Sequence, residues 1–324
     1  MMNIRKRSMM VAALGVALSL GASLAPAQER TVRIVVPFAA GGATDALART
    51  IANRLGPELG QNIIVENKPG AGGQIGTAFV KGAPADGSVY LFTPDHTIVT
   101  IPHLVANAGY EALKDFVAVG QVARFPLALA VSPSTGAKTL PAFAAYLKAN
   151  PGKATYGVPV VGGFPSTVGT AVARKVGVSM VAVPFAGSGP AVMNAAGGHV
   201  ASSVTGLADA LPLAKAGQVH IAAITGTRRS SVLPEVPTFD ELGYLGLDAN
   251  SWYAFFAPKA LPAAAAQQFN QALRKAMEAP DVRQKIADLS IEFAPTTLAE
   301  AEAEFKAAAA YWDKAAQQPD FVRP

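Results

Sequence analysis

Few residues in this chain have the types and spacing that bond-making chemistry needs. The four histidines are His96, His103, His199 and His220; the nearest pair, His96 and His103, would stand roughly 10 Å apart along a helix, too far to share one metal ion. The carboxylates are scattered, with no pair placed for acid/base work. Gly187-Ser188-Gly189 lacks the residue that a nucleophile elbow keeps between its serine and each glycine. Gly70, Gly72 and Gly76 miss the dinucleotide-binding spacing by one residue and follow the second strand instead of the first. No Gly-Lys-Ser/Thr phosphate loop occurs. A chain without cysteine has neither a thiol nucleophile nor a thiolate metal ligand.

The chemistry that the residues do offer is non-covalent. In RIVVPFAAGGATDALARTIANRL, Arg33 to Leu55, a strand passes through Gly41-Gly42 into a helix. Backbone N–H groups at such a helix start have no partner in the helix and carry roughly half a positive charge, so the turn predicts an anion seat made of main chain. Glycine-rich turns recur at three later strand ends: Gly70 to Gly76, Gly162-Gly163 and Gly187 to Gly189. A glycine pair is also what any tight strand-to-helix turn uses, because glycine tolerates positive φ. Thr44 and Asp45 fit a helix cap as well as direct ligand contact.

These turns need elements to hold them. Ile34, Val35 and Val36 form a continuous apolar run, with Val32 just before it, and predict a buried strand. Leu47, Ala48, Ile51, Ala52 and Leu55 recur at helical spacing on one face. Further strands are predicted at Asn62 to Val65 and Val89 to Phe92, the latter followed by a loop at Thr93 to Thr97. The order strand, helix, strand, helix, strand gives a parallel sheet with ligands beyond its carboxyl ends. Phe116 to Val122 and Leu127 to Val131 predict strands on either side of a crossover between domains at Arg124-Phe125-Pro126. A second sheet follows from strands at Met180 to Val183, Val200 to Val204 and Ile221 to Thr225, and Tyr156-Gly157 leads into the glycine turn at Gly162-Gly163. Ser251 to Ala257 predicts a strand returning to the first domain, and the remainder reads as alanine-rich helices at Pro262 to Met277, Asp281 to Leu289 and Leu298 to Ala316.

Arg5, Lys6 and Arg7, an apolar stretch from Met9 to Leu24, and Ala25-Pro26-Ala27 have the make-up of a secretory signal peptide over residues 1–27. The absence of a cysteine after the small-residue site argues against a lipid anchor, so a free periplasmic protein is expected. Removing 27 of 324 residues leaves 297, with 24 Lys and Arg against 22 Asp and Glu, a net charge of +2. No basic run suits a phosphate backbone, which sets nucleic acid aside as a partner. A chain of this length buries a substantial core and commonly divides it between two domains.

In order and spacing, IVVPFAAGGATDALAR, VENKPGAGGQIGT, YEALKDFVAVGQV, LKANPGKATYG, VPFAGSGPAV and SWYAFFAP resemble the Bug receptors of Bordetella and related bacteria, extracytoplasmic solute-binding proteins of tripartite tricarboxylate transporters. The resemblance runs over nearly the whole chain after residue 27. It implies an α/β, type II periplasmic-binding-protein fold: two lobes, each a mixed sheet flanked by helices, joined by a hinge and closing on a small carboxylate. Residues 28–124 with 251–324 would form one lobe and 125–250 the other. The implied ligand contacts are the loop of Phe38, Gly41, Gly42, Thr44 and Asp45, the loop of Gly162 and Gly163, and the turn of Gly187 and Ser188. Asp95, His96 and Thr97 would read the ligand's variable end.

The chain also departs from that family pattern. Ser166 stands where a histidine is frequent, and Thr205 where an aspartate able to pair with an amino group is frequent, which argues against an amino-acid ligand. Val160, Val161 and Phe164 make a less polar wall and favour an acid with an apolar or aromatic body. The resulting expectation is a monomeric, non-enzymatic receptor without cofactor or metal that delivers a carboxylate to the membrane permease subunits of a tripartite transporter. The alternatives are the same fold serving a signalling partner as a sensor, or a secreted α/β enzyme.

Overall fold

The computed structural model describes residues 31–161, 163–244 and 250–317, which belong to one compact unit. The leader at 1–27 lies outside the described residues. Among the described residues eleven strands make two sheets. The first contains β1 (Thr31–Val36), β2 (Asn62–Asn67), β3 (Val89–Pro94), β4 (Phe116–Phe125), β10 (Ser251–Pro258) and β11 (Glu292–Phe293), in the order β11-β4-β10-β3-β1-β2. The second contains β5 (Leu127–Val131), β6 (Thr155–Val158), β7 (Val181–Pro184), β8 (Ser202–Gly206) and β9 (His220–Ile224), in the order β7-β6-β8-β5-β9.

Both sheets are mixed. β1 pairs in parallel with β2 and β3, whereas β10 runs antiparallel to β3 and β4. In the second sheet β6 is parallel to β7 and β8, and β5 is antiparallel to β8 and β9. The parallel strands obey the crossover rule, with a helix returning the chain between them. Their strand ends therefore open onto the same edge, and the glycine turns collect there.

The helix Ala43–Leu59 packs on the first sheet through the face that its sequence marks: Leu47, Ala48, Ile51 and Leu55 are fully buried. Burying each large side chain contributes about 1.5–3 kcal/mol. The helix ends on Gly60 in the left-handed conformation, as a glycine cap requires. An aromatic column then carries the core upward. Tyr90 stacks on Phe269 at 3.8 Å, Phe269 meets Phe255 at 5.4 Å, Phe255 meets Phe92 at 4.6 Å, and Tyr253 lies between Phe92 and Phe125 at 5.7 and 4.2 Å.

Two local expectations change. The crossover is narrower than three residues: β4 continues through Phe125 in the first sheet and β5 starts at Leu127 in the second, leaving Pro126 alone between them. Proline has no N–H to give to a ladder, so pairing stops there. The loop foreseen at Thr93 to Thr97 is also more ordered. β3 runs to Pro94, and a π-helical turn, His96–Thr100, leads into the short helix Ile101–Leu104. Ile98, Val99 and Ile101 are fully buried, and that burial overrides the poor helix propensity of a β-branched run.

Candidate functional site

The strand ends of the two sheets meet around a cavity of about 20 Å³, room for roughly one water-sized group. Phe38, Ala39, Gly42, Thr44, His96, Phe125 and Tyr253 line it from the first sheet, and Pro159, Pro165, Gly187, Ser188, Gly189, Gly206 and Asp209 from the second. Several main-chain contacts hold these loops together. The Ala39 N–H donates to the Ala186 carbonyl at 3.2 Å. A Cβ on Gly187 would lie 3.6 Å from the Phe38 side chain, and one on Gly72 would stand 2.6 Å from Val160, inside contact distance.

At the Gly41-Gly42 turn, Gly41 takes φ +87°, a conformation that favours glycine. Gly42 caps the helix Ala43–Leu59 with no side-chain hydrogen bond of its own. The expected cap role of Asp45 takes another form. Its carboxylate reaches back to accept the Gly41 N–H at 3.0 Å, and also accepts from Asn67 at 3.0 Å and Arg49 at 3.1 Å. Burial works to raise the pKa of Asp45, but Arg49, the Gly41 amide and Asn67 outweigh it and hold the carboxyl below the usual carboxylate range. Asp45 therefore stiffens the turn from beneath and does not line the cavity. Thr44 does line it, with its hydroxyl paired to Tyr253.

The free amide at the helix start has a partner that sequence reasoning missed. The Ala43 N–H donates to Asp209 Oδ1 at 3.0 Å, a contact between residues 166 apart in the chain. Asp209 sits in the first turn of the helix Leu207–Lys215, directly after β8, and is partly exposed to the cavity. Desolvation raises its pKa to about 6, with the Ala43 amide acting the other way. The available signal was the strand-end rule itself: an acid two residues after Leu207, at the carboxyl end of a strand, belongs to the same rim as the glycine turns.

His96 is 3% exposed, lines the cavity, and has no hydrogen-bond partner on either ring nitrogen. Desolvation lowers its pKa to about 4, so the ring is neutral near pH 7. Its Nδ1 lies 3.9 Å from Asp95 Oδ1. Asp95 faces away from this cavity, into a larger groove of about 980 Å³ shared with Arg124, Phe164, Trp252 and Trp312. It accepts hydrogen bonds from the Ser251 hydroxyl and, at 3.4 Å, from the Trp252 amide, while desolvation raises its pKa to about 6.

Of the residues singled out in the sequence, Phe38, Gly42, Thr44, His96, Gly187 and Ser188 come together on the cavity wall. Gly41, Asp45 and Gly163 support it from behind, the last beneath His96, whose ring atom Cδ2 would be 3.6 Å from a Cβ there. Thr97 and Thr205 are fully buried with unpartnered hydroxyls and do not line it. Ser166 turns its hydroxyl towards the Val160 carbonyl at 3.4 Å. Gly162 lies outside the described residues. Among the described residues no three His, Cys, Asp or Glu side chains cluster as a metal site, and no helix is long and apolar enough to cross a membrane.

Comparison with known proteins places this geometry. Residues 47–305 match the family described as "Tripartite tricarboxylate transporter family receptor". BugT of Bordetella pertussis is 32% identical over 278 residues, covering 86% of this chain and 85% of BugT. A Rhodopseudomonas palustris protein solved with adipate is similar at a TM-score of 0.83 and 29% identity, over 89% of this chain and 96% of that one. MatC from the same organism, solved with bound malate, gives 0.82 and 28%, over 90% and 100%.

Proposed function

This chain belongs to the tripartite tricarboxylate transporter receptor family, and on that premise we propose that it is exported to the periplasm, captures a small organic carboxylate between its two sheets and hands it to the membrane permease subunits of such a transporter. It acts as a monomer and makes or breaks no bond. The observation that carries this reading is the cavity wall. It joins the amino-terminal end of the helix Ser188–Ala196 to a neutral histidine whose ring nitrogens have no hydrogen-bond partner among the described residues.

The first sheet, through Phe125 and with β10 and β11, serves as one lobe, and the second sheet, from Leu127, as the other. Because the cavity admits little more than one water-sized group, a solute enters when the lobes part, bending at Pro126.

A melting screen of mono- and dicarboxylates tests this. A ligand at a hundredfold excess over Kd stabilises the folded chain by about 2.7 kcal/mol. A screen in which no acid raises the melting temperature overturns the proposal.

A further inference from the structure

We infer that the solute held in this cavity carries a protonated amine as well as a carboxylate, and that Asp209 is the residue that selects it. The inference rests on the carboxylate-receptor reading and narrows it to amino carboxylates.

The cavity wall contains one side chain that is anionic near pH 7, Asp209, and no lysine or arginine. Oδ1 of Asp209 is bonded to the Ala43 amide, so that helix start is already neutralised by the protein's own carboxylate. Oδ2 accepts no hydrogen bond among the described residues. It faces Gly206, where even a Cβ would lie 3.4 Å away, so the missing side chain leaves space beside this oxygen. A carboxylate with one amide partner, one open oxygen and no cation is complementary to an ammonium group, which brings three donors and the opposite charge. A second ligand carboxylate in that place would meet like charge in a partly desolvated site.

Other groups of the same wall have the opposite character. Ser188 and Gly189 begin the helix Ser188–Ala196, whose first amides have no partner within the helix. His96 supplies a buried neutral ring with both nitrogens unpartnered. These donors suit the ligand's carboxylate, while Asp209 suits its amine. This reverses the expectation drawn from Thr205: that residue is buried away from the cavity, and the charge able to meet an amine lies four residues later.

The test is a set of matched titrations of the purified chain with L-aspartate and succinate, L-glutamate and glutarate, L-leucine and 4-methylpentanoate, and L-phenylalanine and 3-phenylpropionate. In at least one pair the amino acid is expected to bind about tenfold or more tightly than its amine-free partner. Asp209→Asn keeps an oxygen for the Ala43 amide and removes the charge, and should bring that pair to within about threefold. Amine-free acids binding as tightly as their partners, or an Asp209→Asn variant that keeps the preference, overturns the inference and leaves the carboxylate receptor standing. Binding by neither series overturns both.

Discussion

Asp209 reaches across from the second sheet to accept the Ala43 amide at the start of the helix Ala43–Leu59, 3.0 Å away. The amide that the Gly41-Gly42 turn offers to an anion is thus occupied by a carboxylate of the chain itself.

That contact makes stability depend on pH. Asp209 has a folded-state pKa of about 6 against an ordinary value of 3.8, so its charge is better solvated in the unfolded chain. The resulting destabilisation is complete above about pH 6 and disappears as the pH falls towards 4. Asp95 contributes with the same sign. His96, lowered to about 4, contributes with the opposite sign, because the unfolded ring takes up a proton first as the pH falls through 6.5. Asp209→Asn is expected to stabilise the ligand-free protein by on the order of 2 kcal/mol at neutral pH and by nothing near pH 4. Denaturant titrations across that range check both the size and the sign.

At Gly42 the size of the side chain decides the outcome. Its φ of −76° suits any residue, and a Cβ there would meet Asp209 Oδ1 at 3.5 Å, an ordinary contact. Gly42→Ala should fold and bind within about threefold of the parent, whereas the branches of Gly42→Val fill the cavity and abolish binding while the fold survives. Calorimetry on both variants, beside their melting curves, separates the two outcomes.

His96→Leu distinguishes a binding residue from a structural one. Two buried, unpartnered ring nitrogens cost stability, so an apolar replacement of similar size should leave the melting temperature unchanged or raised. Affinity for the solute should fall by about tenfold or more, by loss of a hydrogen bond to its carboxylate. A variant that loses stability and keeps affinity would show the ring to be packing alone.

Asp45→Ala should cost more than a simple helix cap. The carboxylate holds Gly41, Asn67 and Arg49 together and is 5% exposed, so about 2–3 kcal/mol is expected from the charged hydrogen bonds lost. Leu47→Ala, fully buried on the same helix, should cost about 2–5 kcal/mol, with affinity unaltered. Denaturation and binding measured together would show whether the turn, and not the helix, governs the site.

What the sequence disclosed follows the range of the forces involved. The strand, glycine turn and helix from Val32 to Leu55 were legible because a buried parallel strand and an amphipathic helix write their periods into adjacent residues. The cavity-lining Gly42 and Gly187 were legible as glycine turns at strand ends, and Phe38 and Ser188 only through the family resemblance. The His96–Thr100 turn was not, because its shape is imposed by the burial of Ile98 and Val99 under other elements. Asp209 was hidden for a similar reason: its partner lies 166 residues away, and only the folded chain brings them together.

The aromatic stack that ends in Tyr253 and Phe125 has a consequence for how such a receptor can change its diet. One wall of the chamber is anchored through Phe92, Phe255 and Phe269 to the helix Ala263–Met277, so an altered side chain there disturbs a whole tier of interlocked rings. The second sheet's share of the wall, Pro159, Pro165, Gly206 and Asp209, takes no part in that stack. New tastes are cheapest to acquire from that side, by exchanging the ceiling over a floor that stays put.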